Sequence, residues 1–473
     1  MATAARSASA GPPGKAPLRP VRDEPLLPPG PRMPPVVQTL AWSLAPTWLM
    51  DSCARRFGDT FTLRFPPSGA PLVHLSDPQD VKLLLTASEE VAPKPSGGAG
   101  APVWVLGPNS VSVLTGQEHM RQRKLLLPSF HGDHLRKHEQ LIVAATRRAM
   151  AEWPLGEPMR MQPRSRRITL EVIMGAVFGV EAERMTELQA IVVSLMEPKH
   201  LLATVHTLLR PSEQRPNHSI GRGLDRLDAQ IYAEIANRRR QSDLEGRSDI
   251  MSLLLLARDE QGVPMSDEEV RDEMVTLLLA GHETTATAVS WALERLVRHP
   301  DKLARLLAEI DAQRQGGGEE YLTAVVNETL RVRPPQGIVV RRVIGELRLG
   351  RFLLAPGTTA AISVYATNRN PRVYERPAAF EPERFLESTP GTYSWVPFGG
   401  GVRRCIGSQL ALLEAKLILR TMLRELEPQA PRGRRGRSDE RMRWSHRTLI
   451  PARDATVVWR RRSPSHDELA ASA

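Results

Sequence analysis

The sequence predicts a mainly α-helical chain with a small β portion. Apolar residues recur at helical spacing through most of residues 117–313, β-branched runs are short and few, and no repeat of about 20–50 residues recurs. Helices are expected over Gln117–Leu127, Leu135–Trp153, Arg166–Phe178, Leu224–Arg240, Ile250–Ala257, Asp267–Arg298 and Asp301–Gln313. Earlier in the chain, Pro46–Arg56 reads as a helix. Thr60–Phe65 and Pro71–Leu75 flank Pro66-Pro67-Ser68-Gly69 as a hairpin, and Asp77-Pro78 opens a further helix with a cap followed by proline. Strand-like pieces lie at Gly337–Val343, Leu347–Leu354, Thr358–Val364 and Ala455–Trp459, and Pro377–Arg404 is an irregular but ordered meander.

Residues 1–35 are Pro-rich and are expected to form a poorly ordered arm, 36–462 a single domain, and 463–473 a flexible tail. The loop Pro93–Val113 holds Gly97-Gly98-Ala99-Gly100, and loops of that length are usually functional. Two cysteines, Cys53 and Cys405, exclude a disulfide framework and fit a reducing, cytoplasmic setting. No early stretch has the ~20 apolar residues of a spanning helix, so no transmembrane segment is expected. Leu40–Met50 is broken by Pro46 and could at most touch a membrane surface. The net charge of +11 comes from arginines spread along the chain. Its clusters, Arg432–Arg443 and Arg460–Arg462, read as solvated segments, and no nucleic-acid partner is expected.

Three motifs carry chemistry. The first is Phe398-Gly399-Gly400-Gly401-Val402-Arg403-Arg404-Cys405-Ile406-Gly407, followed by Leu410, Leu413, Leu417 and Ile418 at helical spacing. Gly400 and Gly401 permit turns closed to other residues, and Gly407 leaves room for a flat ligand. Cys405 just before a helix N-terminus, beside Arg403 and Arg404, favours thiolate, the metal-binding form. A lone cysteine can equally be a small buried hydrophobe. The second motif is Ala280-Gly281-His282-Glu283-Thr284-Thr285, inside a helix opened by Ser266 and Glu269 as a capping box. Gly281 costs ~1 kcal/mol there relative to alanine. Thr284 can bond the Ala280 carbonyl and bend the helix. The result is either a groove for a diatomic ligand with Glu283 and Thr284 as acid and hydroxyl, or small residues packing one helix on another. His282 is not expected to be a ligand. The third is Glu328-Thr329-Leu330-Arg331, whose ends share a helix face.

Spacing and order together resemble the cytochrome P450 family from about Pro28 to Trp459. The resemblance implies that family's fold, a long central helix over a haem with a cysteine-ligand loop beneath. Cys405 would be the axial ligand of haem b, and Ala280, Gly281, Phe398, Gly401 and Gly407 would line it. His119 and Arg123, one helical turn apart, with Arg341 and Arg403, would hold the propionates. Glu283 and Thr284 would deliver protons. Arg384, in Pro382-Glu383-Arg384-Phe385, would join Glu328 and Arg331 in a structural network.

The implied activity is a monooxygenase inserting one atom of O2 into a C–H bond of a small hydrophobic substrate. Pro93–Val113, Leu195–Ser219, Ala280 and Gln336–Val340 would line its pocket. The chain has no dinucleotide fingerprint and no iron–sulfur cysteines. Electrons from NAD(P)H would therefore arrive through a ferredoxin-type donor and its reductase, docking near Arg121, Lys124, Arg404, Lys416 or Arg420 of a monomer. A peroxide-driven peroxygenase and a non-catalytic haem- or ligand-binding protein are the alternatives.

Overall fold

A 32-residue helix, Asp267–Arg298, crosses the molecule and is buried on nearly all sides. Its start is capped reciprocally: the Ser266 hydroxyl accepts from Glu269 N at 3.2 Å, and the Glu269 carboxylate accepts from Ser266 N at 2.8 Å. Helices Met161–Phe178, Glu320–Val332 and Ser408–Glu425 and the hairpin Met442–Ser445/Thr448–Pro451 pack around it. This is a computed structural model, and it describes residues 27–66, 69–95, 103–179, 186–195, 219–313, 317–433, 439–445 and 448–462. Residues 1–26 and 463–473 lie outside that set, as do Gly97–Gly100 of the long loop and 196–218 of the expected pocket. Among the described residues no helix is long and apolar enough to cross a membrane.

Several elements differ from the sequence expectation. Leu135–Trp153 divides into Asp133–Arg136 and Glu139–Ala151. Arg166–Phe178 begins earlier, at Met161. An unforeseen helix, Pro35–Leu44, starts on its own proline, where the missing N–H costs nothing. Before it, the Pro-rich segment is fastened from Pro28 on. Thr62 donates from its hydroxyl to Pro28 O at 2.7 Å and from its backbone to Pro29 O at 2.9 Å.

The main sheet has the order Thr60–Arg64, Pro71–Leu75, Thr359–Ser363, Ile338–Arg342, with the middle pair parallel. Arg341 pairs in register with Ala360 and is buried, while Arg342 next to it is exposed, as the pleat requires. A smaller sheet joins Pro158–Arg160, Thr456–Arg461 and Leu426–Gln429, three segments distant in sequence.

The structure brings Glu328, Arg331 and Arg384 into one buried network. Arg331 satisfies all five N–H donors: two go to Glu328 at 2.6 and 2.8 Å, and the others to the carbonyls of Asn368, Pro377 and Ala379. Glu328 also accepts from Glu381 N at 2.7 Å and from Arg384 Nε at 3.3 Å. Because both central charges are fully buried, removing one leaves the other uncompensated. Glu328→Gln is expected to cost about 3–5 kcal/mol in urea unfolding. A loss below about 1 kcal/mol would mean that the meander is held by other contacts.

Candidate functional site

The cysteine loop closes on itself through Cys405 N donating to Phe398 O at 3.0 Å, and helix Ser408–Glu425 follows at once. Gly399 and Gly401 have φ of +66° and +64°, and a Cβ on Gly401 would run into the Leu85 carbonyl. Gly400 does not turn as the sequence reading expected. It is extended, and its missing side chain makes room for Leu85, whose Cδ1 would lie 2.9 Å from a Cβ. Cys405 remains accessible although protein packs closely around it, as a side chain at the floor of a cleft does. Burial pushes its thiol up, against the Gly407 N–H and the charges of Arg123 and Arg404. Arg403, expected beside the sulfur, turns instead to Glu89 (2.7 Å from Nε) and to the carbonyls of Val111 (3.1 Å) and Leu114 (2.5 Å).

Facing the loop, Ile406 and Leu410 join the same apolar cluster as Leu277, Leu278 and Leu279 of the long helix. One turn further, the otherwise buried helix opens: Ala280 is exposed, and Gly281 and Thr284 are half-buried. Thr284 Oγ1 donates to Ala280 O at 3.0 Å and Thr285 Oγ1 to Gly281 O at 3.2 Å, four residues back in each case. A Cβ on Gly281 would lie 2.8 Å from Ile173 Cδ1, so this glycine lets helix Met161–Phe178 approach. His282 is buried and bonds Leu278 O at 2.7 Å. Glu283 is buried too, but its carboxylate is gripped by Arg166 at 2.5 Å on each oxygen, with Thr448 Oγ1 at 3.4 Å.

A cysteine whose charged neighbours are two arginines is not activated as a nucleophile by a base. Set on a loop beneath an opened helix and near further buried cations, it suits a protein ligand to a haem iron, and these features define a haem-thiolate protein. The family model described as "Cytochrome P450" matches residues 28–453, and the chain belongs to that family. It is a haem-binding monooxygenase. It is 38% identical over 411 residues to "Putative cytochrome P450 137" of Mycobacterium tuberculosis, covering 86% of this chain and 84% of that one. It is 34% identical to that organism's "Putative cytochrome P450 135B1", covering 91% of each. Among solved structures, a cyanobacterial CYP120A1 with retinoic acid bound superposes with a TM-score of 0.78 at 24% identity over 93% of this chain and all of that one. A mutant P450DA haem domain reaches 0.81 at 24% identity, over 93% and 98% of the two chains. These structures share the fold.

The residues present fit a dianionic haem. His119 is buried with Nδ1 unpartnered among the described residues, its pKa pushed down to about 4 by burial and by Arg403. Arg341 is buried, donates to its neighbour's carbonyl Val340 O at 2.9 Å, and has no carboxylate ion pair among the described residues. Burial and Arg403 hold it down at about 10. Arg123 is half-buried and is likewise lowered by burial, with Arg403 and Arg404 adding to the effect and Cys405 opposing it. Glu89 is the carboxylate that answers this group, through Arg403. Two propionates would supply the missing negative charge.

Of the five expected docking cations, four are taken. Arg121 pairs with Asp259 and Glu269 at 2.6 Å, Lys124 with Glu260 at 2.6 Å, and Lys416 and Arg420 with Glu319. Arg121 and Lys124 line a surface groove of about 640 Å³ that includes none of the proposed haem residues. Arg404 is exposed.

Sequence reasoning missed Arg166 and Glu89, which lie 117 and 314 residues from their partners and leave no local pattern. It also missed Glu414, which a closer reading could have found as an acid on the apolar stripe between Leu410 and Leu417. Burial holds Glu414 well above the usual carboxylate range, a hydrogen bond with Thr285 opposing it, and Oε1 has no partner among the described residues.

Another missed contact clamps the segment beside the site. Asn109 N donates to Asp272 at 2.9 Å, the Ser110 and Thr276 hydroxyls meet at 2.7 Å, and Val111 N donates to Glu273 at 2.6 Å. Burial pushes Glu273 up to about 8, resisted by the Val111 N–H and reinforced by Asp272 and Glu269. With the folded value above the unfolded one, the native state holds a proton that the unfolded state has lost. Stability therefore falls as pH rises from about 4.5 to 8. Glu273→Gln should flatten that fall by up to about 1.4 kcal/mol per pH unit in urea unfolding. Parallel pH profiles for the two proteins would show that Glu273 is ionised in the fold.

Proposed function

We propose that residues 36–462 act as one haem-thiolate monooxygenase domain. It inserts one atom of O2 into a C–H bond of a small hydrophobic substrate, using haem b and electrons from NAD(P)H carried by a ferredoxin-type donor and its reductase. The observation that carries this reading is the break in burial at Ala280–Thr284, in the helix that packs through Leu277–Leu279 against Ile406 and Leu410 and through Thr285 against Glu414, just after Cys405. When bound, the haem supplies the O2-activating iron, and its thiolate ligand favours O–O cleavage. Cys405 would hold the iron, with Phe398, Gly401 and Gly407 shaping its loop. His119, Arg123, Arg341 and Arg403 would orient the ring through its carboxylates.

Thr284 has its hydroxyl proton on the Ala280 carbonyl, leaving the oxygen's lone pairs to accept a bond from the groove. Glu283 would take up a proton and pass it towards that hydroxyl once released from Arg166. Described pocket residues Trp104, Val105, Ala280, Ile338 and Val339 are small or apolar and reach partial or full exposure, which suits a hydrophobic substrate. The donor would dock around Arg404 with the exposed apolar side chains Val402 and Leu83, a less charged surface than the five cations implied. The protein would work as a cytoplasmic monomer. A peroxide-driven reaction is favoured by one observation, the double grip of Arg166 on Glu283, because that chemistry needs neither proton relay nor donor.

Carbon monoxide added to the reduced holoprotein should give a strongly red-shifted Soret band, and Cys405→Ser should abolish the shift. An unshifted wild-type band would remove the thiolate assignment. Thr284→Ala should keep that band yet form product about 10²-fold more slowly from O2 and NAD(P)H, with peroxide released instead. Undiminished turnover in this variant would take Thr284 out of proton delivery.

A further inference from the structure

At the end of the long helix, away from the cysteine loop in sequence, three arginines converge. Arg295 Nη1 and Arg333 Nη2 share Asp439 Oδ2, at 3.2 and 3.4 Å. Arg333 Nη1 and Arg369 Nη2 share the carbonyl of Val332, at 3.1 and 2.7 Å. That carbonyl lies at the C-terminus of helix Glu320–Val332, where cations are favourable. It does not account for the rest. Arg295 Nη2, Arg333 Nε and Arg369 Nε are each buried without a hydrogen-bond partner among the described residues.

The charges do not balance either. Arg333 has Arg295 and Arg369 against it and Glu294 and Asp439 for it, three guanidinium groups with its own against two carboxylates. Glu294 is already shared by Arg295 and Arg298. Asp51 attracts Arg369 from beyond Tyr365, whose hydroxyl donates to Asp51 at 3.2 Å and accepts from Arg369 at 3.1 Å, so that with Arg298 the cluster holds four guanidinium groups against the carboxylates of Glu294, Asp439 and Asp51. Glu440 gives its carboxylate to the backbone N–H groups of Arg453 and Ala455. Burial pushes Arg333 down to about 9, with Arg295 and Arg369 adding to the effect. A water molecule could satisfy the free N–H groups but would neutralise nothing.

We infer that Arg295, Arg333 and Arg369 form a binding site for a small oxyanion, reached past Asp439, whose side chain is 67% exposed. Asp439 is the internal competitor: its carboxylate spans two of the arginines that the anion would use. The site is independent of the haem reading, and occupation would be expressed as stability.

The test is thermal unfolding of the holoprotein in inorganic phosphate against chloride at fixed pH and ionic strength. The midpoint should rise saturably with phosphate, by about 2 °C or more. Asp439→Asn should make the apparent phosphate affinity about tenfold tighter, because it removes the competitor. Arg333→Gln should abolish the response. Equal midpoints in phosphate and chloride would overturn the site, as would an unchanged phosphate response in either variant. If Arg333→Gln does not fold, the exposed Asp439 substitution decides alone, since a purely structural role for Asp439 would shift the midpoint without changing its phosphate dependence.

Discussion

Burying Glu328 and Arg331 together imposes a requirement that runs to the far side of the site. Two charges without water must be hydrogen-bonded completely, and the chain meets this with the carbonyls of Asn368, Pro377 and Ala379 and the backbone N–H of Glu381. The meander is thereby tied to helix Glu320–Val332. From there the constraint passes through Trp395, whose Nε1 donates to Asn327 O at 3.3 Å and whose ring meets Phe385 and Phe398 edge-on at 5.8 and 6.0 Å. Phe398 in turn accepts from Cys405 N. The loop that carries the sulfur is thus tied to an ion pair more than seventy residues earlier.

Around the site the polar groups fall into two sets with opposite excess. In one set Arg403, Arg341, Arg123 and His119 outnumber Glu89, and the resulting repulsion adds to burial in depressing His119 and Arg341. On the long helix Asp272 and Glu273 are adjacent acids, and burial raises Glu273, with Asp272 adding to the effect. The segment Asn109–Leu114 lies between, giving N–H groups to the acids and carbonyls to Arg403. Backbone dipoles therefore bridge the two sets. A change in charge at either end acts on one short segment whose hydrogen bonds are shared, so the order of this segment depends on both Arg403 and Glu273 through Val111.

Locally encoded features were legible. The Ser266–Glu269 box places the start of the long helix, Asp77 caps the helix at Pro78 with bonds to Gln79 N and Asp80 N, and the glycine–cysteine loop can be read as a unit. Elements whose partners are distant were not. Leu426–Gln429 becomes a strand because Thr456–Arg461 lies beside it, and Met442–Ser445 because Thr448–Pro451 does. Pro35–Leu44 was hidden by its exposure pattern: Val36, Leu40 and Leu44 face outward while Gln38 is buried, the reverse of the usual amphipathic signal. In the site, residue types and order were readable, whereas their ion-pair partners were not, since Arg166, Glu89 and Glu319 are set by tertiary packing.

The same limit governs how charge should be read. A net +11 and five basic residues on an expected docking face imply a strongly cationic surface, yet four of the five are already paired within the chain. Formal charge counts residues; the field outside the protein depends on what remains after internal pairing. The acid of the proposed relay follows the same logic. Successive helix residues point about 100° apart, so Glu283 and Thr284 cannot both face the groove from one rigid turn. The hydroxyl takes the groove, and the carboxylate lies against Arg166, whose own side chain is 36% exposed. In the proposed reaction, the ion pair is then the boundary between solvent and site, and its opening sets when a proton can cross.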